Sequence, residues 1–186
     1  MTTSPDPRDE LVEHLPAMRA FALSLTRNSA TADDMVQDTI VKAWTNIEKF
    51  DQESSMRAWL FTILRNTYYS SRRKSRREVA DVDGIFTESL AEKPAHDGHM
   101  QMADFRKALA QLNDEQREAL LLVGASGFSY EEAAEMCGVA VGTIKSRTNR
   151  ARAQLAVILG HGKDGQMEMT DDATMSVITA SKIASF

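Results

Sequence analysis

Basic and amide side chains concentrate between residues 143 and 152, where no acidic residue occurs. Lys and Arg neutralise phosphates or donate hydrogen bonds to guanine edges, and Asn and Ser can bond to adenine or to the nucleic-acid backbone. The side chains with this chemistry are Lys145, Ser146, Arg147, Asn149, Arg150 and Arg152. Their composition predicts a surface that contacts a nucleic-acid duplex.

The residues around this basic segment predict a helix-turn-helix. Ser129 is followed three residues later by Glu132, which is the pattern of a capping box at the start of a helix. Gly138 then supplies the turn because it tolerates a positive φ, and a second helix is expected from near Ala140. The apolar face of that second helix consists of Val141, Ile144, Thr148, Ala151 and Leu155. A solvated surface helix is the alternative interpretation of the basic run, but the capped helix and the glycine turn favour binding in a major groove.

A second basic region lies between Arg57 and Arg77, with seven Lys or Arg and no acidic residue. The predicted exposed side of the helix in this region carries Arg65, Asn66, Tyr69, Arg72 and Arg73. Aromatic rings interleaved with Arg and next to an Asn suit stacking on, and hydrogen bonding to, unpaired bases. Core aromatics followed by a solvated basic tail are the alternative interpretation.

The charge of the whole chain conceals these two basic regions. The 186 residues carry a formal net charge of -5, which taken alone argues against a nucleic-acid partner. The charges are segregated, however, since residues 78–104 contain seven acidic residues and one Lys. Two basic regions separated by an acidic stretch fit a protein that binds nucleic acid at two places.

Composition also argues against several function classes. The single cysteine, Cys137, excludes an internal disulfide framework, and no segment approaches the roughly 18 apolar residues of a membrane span. We therefore expect a cytoplasmic protein with no membrane partner. His96 and His99 have a weak metal-like spacing but lack further ligands, so no metal and no cofactor is predicted. An enzyme is the least favoured class, because no nucleophile with a base, paired carboxylates or phosphate-binding glycine loop occurs.

Helical periodicity predicts an all-α fold made of two small helical domains joined by a flexible acidic linker. A first helix is expected from near Asp9, and Pro16 predicts either a kink or a fresh helix start. Thr31, with Asp34 three residues later, is interpreted as the start of the next helix. The apolar positions of that helix are Ala32, Met35, Val36, Ile40, Ala43, Trp44 and Ile47.

A further helix is expected after the polar loop at residues 50–55. Its predicted buried side consists of Met56, Trp59, Leu60, Ile63, Leu64, Thr67 and Tyr68. Periodicity fails at residues 79–102, which we interpret as the linker, and four short helices are expected at residues 103–160. Asn113 and Gln116 form a second predicted capping box. The tail at residues 161–186 is predicted to be disordered.

Two groups of motifs resemble regions 2 and 4 of extracytoplasmic-function (ECF) sigma factors, which are minimal bacterial transcription initiation factors. The first group is ADDMVQDTIVKAW and MRAWLFTILRN, and the second is DEQREALLLVGASGFSYEEAAEMCGVAVGTIKSRTNRAR. GASGFSYEEAAE with GTIKSR is especially similar to the EcfG group, the general stress response sigma factors of alphaproteobacteria. The resemblance covers residues 9–160 and implies region 2 at residues 9–78 and region 4 at residues 103–160.

The resemblance implies roles for individual residues. The exposed polar residues Asp34, Gln37 and Asp38 would meet the coiled-coil clamp of the polymerase β′ subunit. Asn66 would capture a flipped base of the -10 element, and its basic and aromatic neighbours Arg65, Tyr69, Arg72 and Arg73 would grip the separated strand. The residues that would contact the -35 duplex are Thr143, Lys145, Ser146, Arg147, Asn149 and Arg150. Family members often have an aromatic or aliphatic residue at position 149 and Pro at position 140, where this chain has Asn149 and Ala140.

The implied partners are core RNA polymerase, through its β′ clamp and β flap, and promoter DNA. Family membership would add an anti-sigma protein of the NepR kind, which a response regulator of the PhyR kind removes by mimicking the sigma factor. A sigma-like mimic that binds the anti-sigma protein without DNA is therefore an alternative, which the four basic residues at positions 143–152 and the lack of a receiver domain disfavour. A helix-turn-helix regulator with a sensing domain is a second alternative, disfavoured by the basic region at residues 57–77.

Overall fold

The computed structural model describes residues 7–80 and 97–160, and every regular element within those two ranges is helical. The chain divides into two compact units, residues 1–92 and residues 93–186. The fold is therefore all-α, as the periodicity predicts. Residues 81–96 of the interpreted linker, His96 among them, and the tail from residue 161 lie outside the described residues.

Over residues 7–80, the first unit contains three long helices preceded by a short helical lead-in. Its elements are α1 (Pro7–Glu10), a 3₁₀ turn (Leu11–His14), α2 (Leu15–Thr26), α3 (Ser29–Thr45), a 3₁₀ turn (Ile47–Lys49) and α4 (Met56–Ala80). Pro16 lies at the second position of α2, where its missing N–H leaves no intrahelical hydrogen bond unmade. The fresh helix start, one of the two outcomes predicted for Pro16, is thus confirmed.

The three long helices of the first unit enclose one apolar core. Met18, Phe21 and Leu25 of α2 are buried, as are Leu60 and Leu64 of α4. The rings of Phe21 and Phe61 lie 5.1 Å apart and are tilted by 48°, which is a favourable aromatic geometry. Phe61 is fully buried although it is missing from the predicted buried side of α4.

Helix α3 differs from its prediction at both its start and its apolar face. The cap is Asn28, whose Oδ1 accepts a hydrogen bond from the Thr31 amide at 2.9 Å, so the helix begins two residues before Thr31. Thr39 is buried and satisfies its hydroxyl by donating to the Met35 carbonyl at 2.7 Å. The buried stripe runs through positions 32, 35, 36, 39 and 43 and leaves Trp44 on the outer side, 54% exposed. The assignment of Trp44 to the apolar face is therefore wrong.

Within residues 97–160, the second unit contains four helices, the number predicted for residues 103–160. Its elements are α5 (Asp97–Ala110), α6 (Asp114–Leu120), a π-helical turn (Leu121–Ala125), α7 (Tyr130–Cys137) and α8 (Val141–Ile158). Helix α8 packs against α6 and α7. Its buried residues Ala151 and Leu155 join a core cluster with Leu109, Leu112 and Leu120. Helix α4 extends two residues beyond the predicted boundary at residue 78, and α5 begins at Asp97, within the stretch interpreted as the linker.

A buried arginine closes the turn between α5 and α6. The Arg117 side chain is 3% exposed and donates hydrogen bonds to the carbonyls of Leu109, Ala110 and Leu112 at 2.9, 3.2 and 2.7 Å. Carbonyls at a helix C-terminus lack partners within the helix, and the guanidinium supplies donors to three carbonyls at this turn. The Leu109 carbonyl also accepts from the Leu112 amide at 3.2 Å. One half of the capping box predicted for α6 is present, since Asn113 Oδ1 accepts from the Gln116 amide at 2.8 Å. The reciprocal bond from the Asn113 amide to the Gln116 side chain does not occur among the described residues.

Candidate nucleic-acid interface

The helix-turn-helix predicted from the sequence is present at α7 and α8. Ser129 Oγ accepts a hydrogen bond from the Glu132 amide at 3.1 Å, and the Ser129 amide donates to Glu132 Oε2 at 2.8 Å, so the capping box is complete. Gly138 ends α7 with φ of 65°, a conformation that L side chains adopt only with strain. Ala140 is extended, and α8 begins at the next residue. The local sequence therefore fixes how the chain enters α8.

The buried face of α8 determines which of its polar residues are accessible. Ile144, Thr148, Ala151 and Leu155 are buried, which orients the opposite side of the helix outward. The predicted contact residues on this outward side are exposed: Lys145, Asn149 and Arg150. The Lys145 ammonium lies 5.6 Å from the centroid of the Tyr130 ring, a cation–π contact between α8 and α7.

The other three predicted contact residues of α8 are half-buried. The Ser146 hydroxyl donates to the Thr143 carbonyl at 3.0 Å, a hydrogen bond within the helix. Arg147 Nη2 donates to Glu115 Oε2 at 2.6 Å, which is an ion pair between α8 and α6. Glu115 could not be found from the sequence, because it lies 32 positions before Arg147 and no local pattern connects the two residues. Three of the six predicted contact residues of α8 are therefore exposed. Arg147, in the middle of the set, already forms an ion pair with Glu115.

The five predicted residues of α4 lie along one side of that helix. The Arg65 guanidinium lies 4.8 Å from the centroid of the Tyr69 ring, and its Nη1 is 3.5 Å from Asn66 Oδ1. Asn66 is exposed and Tyr69 is half-buried. Further along the helix, Arg73 Nη2 donates to Ser70 Oγ at 3.2 Å. This arrangement provides an aromatic face, an amide and several cations on one surface, the chemistry that suits unpaired bases.

A second tyrosine, Tyr68, packs against two of the predicted residues of α4. Tyr68 is buried and meets Tyr69 edge to face at 5.2 Å between ring centroids. The Arg72 guanidinium lies 5.9 Å from the Tyr68 ring centroid. Because Tyr68 is 4% exposed, its ring is a packing surface for Tyr69 and Arg72.

The acidic side of α3 is fully accessible. Asp34, Gln37 and Asp38 are all exposed and lie at helical spacings of three and four. Val41 and Trp44 extend the same side of the helix and are 58% and 54% exposed. The Arg8 guanidinium lies 5.2 Å from the centroid of the Trp44 ring. The exposed side of α3 is thus acidic at its start and apolar towards its end.

The described residues provide no evident cation site. Within residues 7–80 and 97–160, no three His, Cys, Asp or Glu side chains are grouped so that they could hold a metal ion. The helices of those two ranges also include none long and apolar enough to cross a membrane.

Family models match both units of the chain. The model of Sigma-70 region 2 matches residues 11–78, and the model of Sigma-70, region 4 matches residues 102–155. Between them the two matches leave out residues 79–101, and the second match ends at residue 155.

Alignments with similar proteins cover most of the chain. The chain is 50% identical over 171 residues to the ECF RNA polymerase sigma factor EcfG of Rhodopseudomonas palustris, covering 92% of this chain and 93% of that protein. A crystal structure of the sigma factor RpoE with the anti-sigma factor NepR from Bartonella quintana matches with a TM-score of 0.78 and 52% identity, over 86% of this chain and 100% of that one. The PhyRSL–NepR complex from Sphingomonas sp. Fr1 matches with a TM-score of 0.60 and 25% identity, over 80% of this chain and 86% of that one.

Proposed function

The chain belongs to the ECF family of RNA polymerase sigma factors, and we propose that it directs core polymerase to stress-response promoters by contacting two promoter elements. Residues 9–78 act as region 2 and residues 103–160 act as region 4, and the connection between them lies within residues 79–102, into which the end of α4 and the start of α5 extend. The observation that carries the proposal is the presence of two different basic surfaces, one suited to a duplex and one to unpaired bases. Promoter recognition needs both, because initiation begins on duplex DNA and ends with separated strands.

Helix α8 would read the -35 element. Lys145, Asn149 and Arg150 are exposed on its outward side, where Lys and Arg can neutralise phosphates or donate to guanine and Asn can pair with adenine. Thr143 and Ser146 near the start of the helix and Arg147 in its middle complete the proposed contact set. The capped helix α7 supports this role, since a second helix entering the groove at a fixed angle requires a fixed first helix.

Helix α4 would hold the melted -10 strand. The exposed Asn66 amide offers both a donor and an acceptor to the edge of a flipped base. Arg65 and Tyr69 lie beside it in cation–π contact, and Arg72 and Arg73 extend the positive surface along the backbone path of the strand. The proposed order of events is duplex docking at α8 followed by capture of unpaired bases at α4.

The exposed side of α3 would join the chain to the polymerase. Asp34, Gln37 and Asp38 would contact the β′ clamp, and region 4 would contact the β flap. The place of action is then the cytoplasm, where bacterial polymerase and the chromosome meet. Regulation would come from an anti-sigma protein of the NepR kind, released by a response regulator of the PhyR kind. The likeness to the RpoE–NepR and PhyRSL–NepR complexes supports this part of the proposal.

Reconstituted transcription tests the proposal. Core polymerase from Rhodopseudomonas palustris, the source of the half-identical relative, is combined with the purified chain and a promoter library randomised at the -35 and -10 positions. We expect transcripts from a defined subset of the library that are absent without the chain. A parallel binding assay with a NepR-type protein distinguishes the proposal from the alternative of a sigma-like mimic. Binding to the NepR-type protein together with no transcript would identify a mimic and overturn the proposal.

A further inference from the structure

The ion pair between Arg147 and Glu115 differs from the surroundings of the other cations on α8. The Arg147 side chain is 19% exposed and the Glu115 side chain is 61% exposed, with 2.6 Å between Nη2 and Oε2. Arg150, one turn away, is exposed and forms no ion pair with any residue in the described ranges. One arginine of the proposed contact set is thus held by a carboxylate, whereas its neighbour has no such constraint within those ranges.

The pairing changes what Arg147 can offer to DNA. A carboxylate next to a guanidinium offsets its charge, which weakens it as a counterion for phosphate. The guanidinium is planar and has five N–H donors, and the contact to Glu115 uses a donor on Nη2. The remaining donors lie in a plane that the carboxylate helps to fix. A guanidinium of this kind is better suited to the paired acceptors of a guanine edge than to a phosphate.

We propose that Glu115 is a positioning residue that fixes Arg147 for base reading and so sets the sequence preference at one base pair of the -35 element. The inference rests on the proposed function of α8. A guanidinium ordered before DNA arrives loses less side-chain freedom on binding, so the correct base pair gains affinity. Glu115 itself lies in the first turn of α6, outside the reading helix, and acts through Arg147.

The test measures base preference with the holoenzyme. Binding of the reconstituted holoenzyme is measured on promoters that carry each of the four base pairs at every -35 position in turn. The variants are Arg147→Ala, Glu115→Ala, Glu115→Gln and the Arg147→Ala and Glu115→Ala double variant. Glu131→Ala is the matched control, since Glu131 is an exposed acidic residue in the first turn of α7, as Glu115 is in α6.

We expect Arg147→Ala to remove the preference at one base pair. Glu115→Ala should reduce the preference at that same base pair by about threefold to tenfold. Glu115→Gln should keep most of it, because the amide oxygen still accepts a hydrogen bond. The double variant should equal Arg147→Ala, and Glu131→Ala should match the parent chain. Because the readout is a ratio of two affinities, a smaller folded fraction cancels out of it.

Three results would overturn the inference. If Arg147→Ala removes a base preference that Glu115→Ala leaves intact, Glu115 is not a positioning residue, although α8 remains the reading helix. If Glu115→Ala sharpens the preference, the carboxylate competes with DNA for Arg147. If Arg147→Ala changes no base preference, the role of Arg147 in the proposed function is wrong as well, and Lys145 and Arg150 variants then decide whether α8 reads DNA at all.

Discussion

The Lys42 ammonium of α3 donates a hydrogen bond at 2.9 Å to the hydroxyl of Thr67 on α4. Thr67 is buried and immediately follows Asn66, the residue proposed to capture a base, while Lys42 lies four residues beyond Asp38 of the proposed polymerase surface. The contact therefore connects the helix proposed to bind polymerase with the helix proposed to bind the melted strand.

Lys42→Ala should destabilise the first unit by about 1 kcal/mol, because the buried Thr67 hydroxyl loses its ammonium partner. Both tryptophans of the chain, Trp44 and Trp59, belong to this unit, so urea unfolding followed by tryptophan fluorescence reports on it selectively. Lys49→Ala is the control, since Lys49 is exposed and bonds to Asn46 within the same turn. Equal midpoints for the two variants would show that the Lys42 contact contributes nothing.

Arg117→Met should destabilise the second unit by about 2–4 kcal/mol, because the carbonyls of Leu109, Ala110 and Leu112, at the end of α5 and in the turn after it, lose the guanidinium that donates to them. Far-UV circular dichroism should show part of the helical signal melting earlier, with the tryptophan transition of the first unit unchanged. Arg106→Met places the same side chain at an exposed position of α5 and should leave both transitions in place. A shared shift of both transitions would contradict the assignment of Arg117 to one unit.

Gly138→Ala should lower stability by about 1 kcal/mol, because Ala is strained at the positive φ of 65° that ends α7. Gly142→Ala is the opposite case. Gly142 lies inside α8, and a Cβ added there would meet open space, so Ala should raise stability by up to about 1 kcal/mol. Thermal unfolding of the two variants should therefore shift in opposite directions, and shifts of the same sign would refute the role of the turn.

Asn66→Ala should slow open-complex formation about tenfold, which corresponds to about 1.4 kcal/mol and lies within the range of about 1–3 kcal/mol expected for one base contact. Permanganate reactivity of thymines in the -10 region measures strand separation directly. Ser71→Ala, an exposed small polar position on the same helix, is the control. Core polymerase affinity should be the same for both variants, since neither residue lies on the proposed polymerase surface. Normal strand separation by the Asn66 variant would remove it from the proposed site.

The features that the sequence predicted correctly depend on residues close together in the chain. Ser129 with Glu132 and Asn113 with Gln116 are three residues apart, and their hydrogen bonds follow from local geometry. Trp44 is misassigned because the buried stripe of α3 includes Thr39, a polar residue that a pattern of apolar residues leaves out. With Thr39 included, the stripe is centred on a side of the helix that excludes Trp44. The burial of Phe61 is not predicted because this residue adjoins Leu60 and lies off the stripe that helical spacing indicates for α4.

The interactions that the sequence could not predict join separate helices. Arg117 contributes to the buried interior although arginine is ordinarily exposed, and its three carbonyl partners belong to the preceding helix and turn. The pair formed by Arg147 and Glu115 depends on how α8 packs against α6. Such contacts follow from tertiary packing, and the side chains alone do not specify their partners.

The π-helical turn at Leu121–Ala125 connects α6 to the segment that forms α7 and α8. Its wide turn is closed by the Ser126 amide, which donates to the Leu121 carbonyl at 2.7 Å across five residues. Such a turn accommodates one residue more than an α-helix would, and each residue rotates a helix by about 100°. The orientation of α8, the proposed reading helix, therefore depends on the number of residues in this turn. A one-residue deletion there would rotate α8 without altering any of the side chains proposed to contact DNA.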